Sequence, residues 1–162
     1  MLNKKSNQKT KNQLFYEVST RKKTPRILLA EDDNDMRKLM AWLFRKQGYE
    51  VIECADGIQL LDYLRSVSFP EETEVFNIII SDIRMPGFTG LEVLKSMHKY
   101  EAFPPVVLIT AFGDENTHEQ AYQLGAAAIF DKPFDMNDLL AKVQEIVPPL
   151  LPGTYSLREE QQ

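Results

Sequence analysis

Four apolar runs in this chain end on residues that can do chemistry. "RILLA" runs into Glu31, Asp32 and Asp33, "FNIIIS" into Asp82, "PVVLI" into Thr110, and "AAIFD" into Lys132. A charge at the lip of an apolar strand is costly to desolvate unless it has a partner, a proton or a metal. If one fold gathers these ends, several carboxylates meet a single lysine, and the surplus negative charge calls for a divalent cation. Oxygen-only ligands with room for water and phosphate oxygens suit Mg2+. Carboxylates, a lysine and a hydroxyl around such an ion describe a phosphoryl-transfer site, and an aspartate there can itself accept the group as an acyl phosphate.

Taken singly, each residue also has a plainer reading. Asp32, Asp33 or Asn34 can cap a helix, which favours acids at its N-terminus. Asp82 precedes the turn "MPG", Thr110 is a good strand former, and Lys132 can be a solvated surface lysine. Capping accounts for one acid of the first cluster and not for all of them. The case for chemistry therefore rests on all four ends meeting in one place.

The elements that would bring them together are legible from periodicity. "RILLA", "EVIEC", "FNIIIS", "PVVLIT" and "AAIF" are short, mostly apolar and rich in β-branched residues, the mark of strands in a parallel sheet covered on both faces. Between them lie helical patterns. The first places Met36, Leu39, Met40, Leu43 and Phe44 on one face, with Gly48 ending it and Trp42 at the core edge. The second runs from about Asp56 to Arg65 with Ile58, Leu61 and Leu64 in register. The third holds Leu91, Leu94 and Met97, and the fourth is polar, from about Asp114 to Leu124. The fifth carries Met136, Leu139, Leu140, Val143, Ile146 and Val147 on one stripe. Five strands alternating with five helices predict a doubly wound α/β sandwich, whose ligands sit beyond the carboxyl ends of the strands.

The bulk numbers narrow the function. The chain has 162 residues, 43% apolar and 27% charged, which suits one globular domain. No apolar run reaches membrane-spanning length, and the basic N-terminus lacks the apolar segment of a secretion signal, so the expected location is cytoplasmic. Cys54 is the single cysteine, and with two histidines it cannot form a zinc site of Cys and His ligands. Residues 1–26 carry eight Lys or Arg against Glu17 alone, which leaves eleven basic and 23 acidic side chains for the rest. An acidic body argues against nucleic-acid binding by the domain itself. The expected organisation is a basic, disordered arm over 1–25, the domain over 26–147 and a short tail over 148–162. His98 and His118 fall at no strand end and read as ordinary surface residues.

Together, "LLAEDDND", "SDIRMPG", "LITAF" and "DKPF" resemble the receiver domain of two-component response regulators. The resemblance implies a (βα)5 sandwich with strand order 2-1-3-4-5. It implies that Asp82 takes a phosphoryl group from a sensor histidine kinase or a histidine phosphotransfer protein. Asp32, Asp82 and the backbone carbonyl of Arg84 would ligate Mg2+, with Glu31 acting mainly through a metal-bound water. Thr110 and Lys132 would hold the phosphoryl oxygens, and the Lys132–Pro133 bond would be cis. The first helix would carry kinase specificity, and the face of the fourth helix, fifth strand and fifth helix would meet a downstream protein.

Two departures from the family pattern stand out. Three residues before Lys132, where receivers often have an aromatic that moves with the threonine, there is Ile129. Arg84 and Phe112, each two residues past a site residue, occupy positions that tune hydrolysis of the acyl phosphate, and a bulky Phe112 predicts a long-lived phosphorylated state. Ile129 leaves open a receiver that signals without phosphate, and the short tail leaves open a piece of a longer regulator. A flavodoxin-like protein would need a Ser/Thr/Gly-rich loop where "EDDND" stands. A hydrolase of the haloacid dehalogenase type would need an aspartate at position 84.

Overall fold

The computed structural model describes residues 24–67, 76–98 and 103–150. Nearly all of the expected arm and of the tail lies outside them. In chain order the elements are β1 (Arg26–Ala30), α1 (Asn34–Lys46), β2 (Glu50–Cys54), α2 (Gly57–Val67), β3 (Ile78–Asp82), α3 (Gly90–Met97), β4 (Val106–Thr110), α4 (Glu115–Gln123), β5 (Ala128–Asp131) and α5 (Met136–Ile146). The sheet is parallel throughout and ordered β2-β1-β3-β4-β5. This is the doubly wound order expected above.

Two apolar layers hold the sheet. On one face Leu60 and Leu64 of α2, Val93 and Leu94 of α3 and Ala121 of α4 pack on Leu28, Ile79 and Leu108. On the other, Met40, Ala41 and Phe44 of α1 with Leu139 and Val143 of α5 pack on Ile27, Leu29, Ile78, Ile80, Val107 and Ile109. Strands β3 and β4 are buried along their whole length. They alternate between the two layers, which is why their sequences show no polar alternation.

Three side chains depart from the expected helical faces. Leu39 is 50% and Ile58 53% exposed, while Ala41 and Leu60 take buried places. Trp42, expected at the core edge, is 58% exposed and holds the Lys46 ammonium 5.0 Å from its ring centroid. The buried stripe of α1 is centred on Met40, Ala41 and Phe44. Ile58 lies over the turn after β3: a Cβ on Gly87, whose φ is +86°, would come within 2.8 Å of its Cγ1.

Candidate functional site

The loop after β1 gives its three acids three different tasks. Asp33 is the N-cap of α1, its side chain accepting from the Met36 amide at 2.8 Å, so here the capping reading holds. Glu31 turns inward and is fully buried; its Oε1 accepts from the Asp33 amide at 3.0 Å. Asp32 is exposed at the mouth. Arg37, one turn into α1, steadies the loop by donating to the Glu31 carbonyl at 2.8 Å and lying 3.5 Å from Glu53 of β2.

Asp82 closes β3 and is 4% exposed. Its Oδ1 accepts from the Arg84 amide at 2.8 Å, and its Oδ2 from Lys132 Nζ at 2.5 Å. The same ammonium reaches Glu31 Oε2 at 2.9 Å, so Lys132 ties the ends of β1, β3 and β5 together. It arrives there because its own amide donates to the Thr110 carbonyl at 2.7 Å, extending the β4–β5 pairing past β5. The Lys132–Pro133 bond is cis. The approach of α3 is equally close, since a Cβ on Gly90 would lie 2.6 Å from the Asp82 carbonyl oxygen.

Carboxylate oxygens of Glu31, Asp32 and Asp82 all lie within 4.8 Å of one another. Three hard oxygen donors at that spacing fit a small divalent cation such as Mg2+. Burial raises the pKa of Glu31, helped by the Asp82 charge and only partly opposed by Lys132 and the Asp33 amide. Burial works against the Lys132 ammonium too, yet its hydrogen bonds to Asp82 and Glu31 prevail and hold its pKa above the ordinary lysine value.

Thr110 ends β4, is 1% exposed, and its Oγ1 accepts from the Phe112 amide at 3.1 Å. Phe112 itself is 65% exposed, with the Arg84 guanidinium carbon 4.4 Å from its ring centroid. The two positions expected to govern hydrolysis thus touch each other. Ile129 is half-buried against the layer of α2, α3 and α4. A separate cleft of about 350 Å3, lined by Leu61, Phe88, Val93 and Met97 among others, lies between α2 and α3 and includes none of these site residues.

Comparison with known proteins agrees with this geometry. The response regulator receiver domain family matches residues 27–144. The chain belongs to that family. This receiver is 30% identical over 123 residues to sporulation initiation phosphotransferase F of Bacillus subtilis, covering 76% of this chain and 94% of that protein. It is 33% identical over 119 residues to the regulatory protein AtoC of Escherichia coli, covering 74% of this chain but only 24% of that one. The receiver domain protein of Methanospirillum hungatei, described as CheY-like, superposes with a TM-score of 0.66 at 28% identity, covering 75% of this chain and 92% of that one. TrrA of Thermotoga maritima, solved in complex with Mg2+ and BeF, does so with a TM-score of 0.64 at 26% identity, covering 76% and 99%.

Sequence reasoning missed one contact of this receiver. His118, taken as an ordinary surface residue, donates from Nε2 to Asp131 Oδ1 at 2.8 Å. Asp131 is the last residue of β5 and directly precedes Lys132. The separation of thirteen residues across α4 hides the pair from any local pattern.

Proposed function

We propose that this receiver is a phosphorylation-dependent switch that accepts a phosphoryl group on Asp82 from a histidine kinase or histidine phosphotransfer protein. The observation that carries the reading is the Lys132 ammonium bridging Glu31 and Asp82 at the strand ends. In the transfer, an Asp82 carboxylate oxygen attacks phosphorus, the bond from phosphorus to the donor's imidazole nitrogen breaks, and the nitrogen keeps the electron pair. Lys132 moves with the charge, from the carboxylate to a phosphoryl oxygen, and Thr110 turns its hydroxyl from the Phe112 amide toward another. Mg2+, held by Glu31, Asp32, Asp82 and the Arg84 carbonyl, would supply charge neutralisation for the phosphoryl oxygens.

Return to the resting state is hydrolytic. Water attacks phosphorus, the acyl phosphate P–O bond breaks, and the Asp82 carboxylate and inorganic phosphate are released. The Arg84 guanidinium over the Phe112 ring screens the mouth from that water, so autodephosphorylation is slow; beyond it the receiver catalyses only self-phosphorylation from phosphodonors. The state is read by a downstream protein on the α4–β5–α5 face, in the cytoplasm. The domain itself engages neither nucleic acid nor membrane; no helix of the described residues is long and apolar enough to cross one.

Incubation with Mg2+ and acetyl phosphate, followed by mass spectrometry, tests the reading. A single phosphate adduct that vanishes in Asp82→Asn is expected. An unmodified parent protein would favour signalling without phosphate.

A further inference from the structure

The proposed switch leaves unexplained how Thr110 is felt at α4, because Ile129 carries no polar atom and is packed into the apolar layer. A different contact spans the gap. Gly113 lies in the loop between Thr110 and α4, and a Cβ placed on it would come within 1.9 Å of Asp131 Oδ1, 2.5 Å of His118 Nε2 and 2.8 Å of Thr110 Cγ2. The bare Cα of Gly113 is therefore packed directly against both the Thr110 methyl and the His118–Asp131 hydrogen bond. One partner of that bond belongs to α4 and the other to β5, next to Lys132.

Building on the phosphoryl-accepting role of Asp82, we propose that the His118–Asp131 pair, seated on Gly113, couples the site to α4. When the Thr110 hydroxyl leaves the Phe112 amide, residues 111–113 must shift with it. No space separates Gly113 from the pair, so the shift displaces His118 and with it α4. Lys132 acts on the same pair from the strand side, through the backbone it shares with Asp131. His118 is thus a positioning residue, acting through Asp131 and Gly113, with no contact to the phosphoryl group.

The test is hydrogen exchange of the α4 amides, residues 115–123, in the full chain with and without Mg2+ and beryllium fluoride, alongside phosphate uptake from acetyl phosphate. The parent should show an α4 exchange response on loading. His118→Ala should take up phosphate on Asp82 to the same extent yet show a response about fivefold smaller or less, the low end of ordinary coupling between sites. His118→Gln, which keeps a donor, should restore most of it. Gly113→Ala, which forces the pair apart, should alter α4 exchange before any loading. A full response in His118→Ala, or a parent that loads without any response at α4, would overturn the coupling and leave the phosphoryl-accepting role intact. Absence of the adduct in the parent would overturn both.

Discussion

Around Asp82 the receiver has two flanks. On the β1–α1 side Glu31 is fully buried and tied to a backbone amide and an ammonium, and the loop carrying it is capped by Asp33 and braced by Arg37. On the β4–α4 side Phe112 is 65% exposed, Thr110 holds a single amide, and the His118–Asp131 pair is partly solvated. The first flank fixes charges where displacement would leave them unpaired in an apolar surrounding. The second is held by contacts that can be exchanged at little cost, which is what a moving part needs. For the proposed switch, such a division keeps the ligands of an ion in place on one side and leaves the other free to report.

The largest test of this contrast is removal of the ammonium. Lys132→Met leaves Glu31 buried without its cation and should cost about 3 kcal/mol at neutral pH, measured by denaturant unfolding. The sign with pH follows from the raised Glu31 value: above its ordinary 4.5 the folded state binds more protons than the unfolded one. Stability therefore rises as pH falls through that window, and the loss in Lys132→Met should shrink on acidification.

Two added methyl groups compare the buried strand that carries Asp82 with the β4–α4 flank. Gly90→Ala meets the Asp82 carbonyl, which belongs to the buried strand and cannot yield; a loss of about 2 kcal/mol is expected. Gly113→Ala meets mainly the ends of the Asp131 and His118 side chains, which can swing away. Its melting temperature should fall clearly less than that of Gly90→Ala, and equal losses would show the β4–α4 flank to be as unyielding as β3.

Next in size is Asp82→Ala, which relieves repulsion among the clustered acids and should stabilise the metal-free fold by about 1 kcal/mol. Thermal melts in EDTA read this, and a melting temperature at or below that of the parent would contradict it. Smallest is Phe112→Ala, which removes the stack with Arg84, a contact of roughly 0.5–1 kcal/mol at an exposed position. It should leave stability nearly unchanged and hasten loss of phosphate from Asp82 by a few-fold, followed by mass spectrometry over time.

The buried strands that lead into the site are the part of the receiver that its sequence makes most legible. Uninterrupted apolar runs such as "IIIS" occur because β3 is buried on both faces, and the residue closing each run must then lie at the sheet's carboxyl edge. Periodicity alone did not say which of several adjacent apolar residues faces the sheet. Leu39 and Ile58 stay outside while Ala41 and Leu60 go in, since backbone approach distance decides between neighbours on a wide stripe. The β4–α4 flank is the hardest to read. His118, Gly113 and Asp131 have unremarkable types and spacing, and only the packing of α4 on β5 makes them neighbours.

At the opposite end of the sheet, the Tyr49 hydroxyl donates to the Val147 carbonyl at 2.6 Å, clasping the end of α5 to the corner between α1 and β2. Leu150 passes over Gly48 at the same corner. That corner lies one strand length, roughly 16 Å, from the carboxyl edge where Asp82 sits. Whatever is joined after residue 150 therefore starts from a post fixed to the far pole of the domain. A change at Asp82 that is to be felt at residue 150 must therefore cross the whole length of the sheet, through strands buried on both faces.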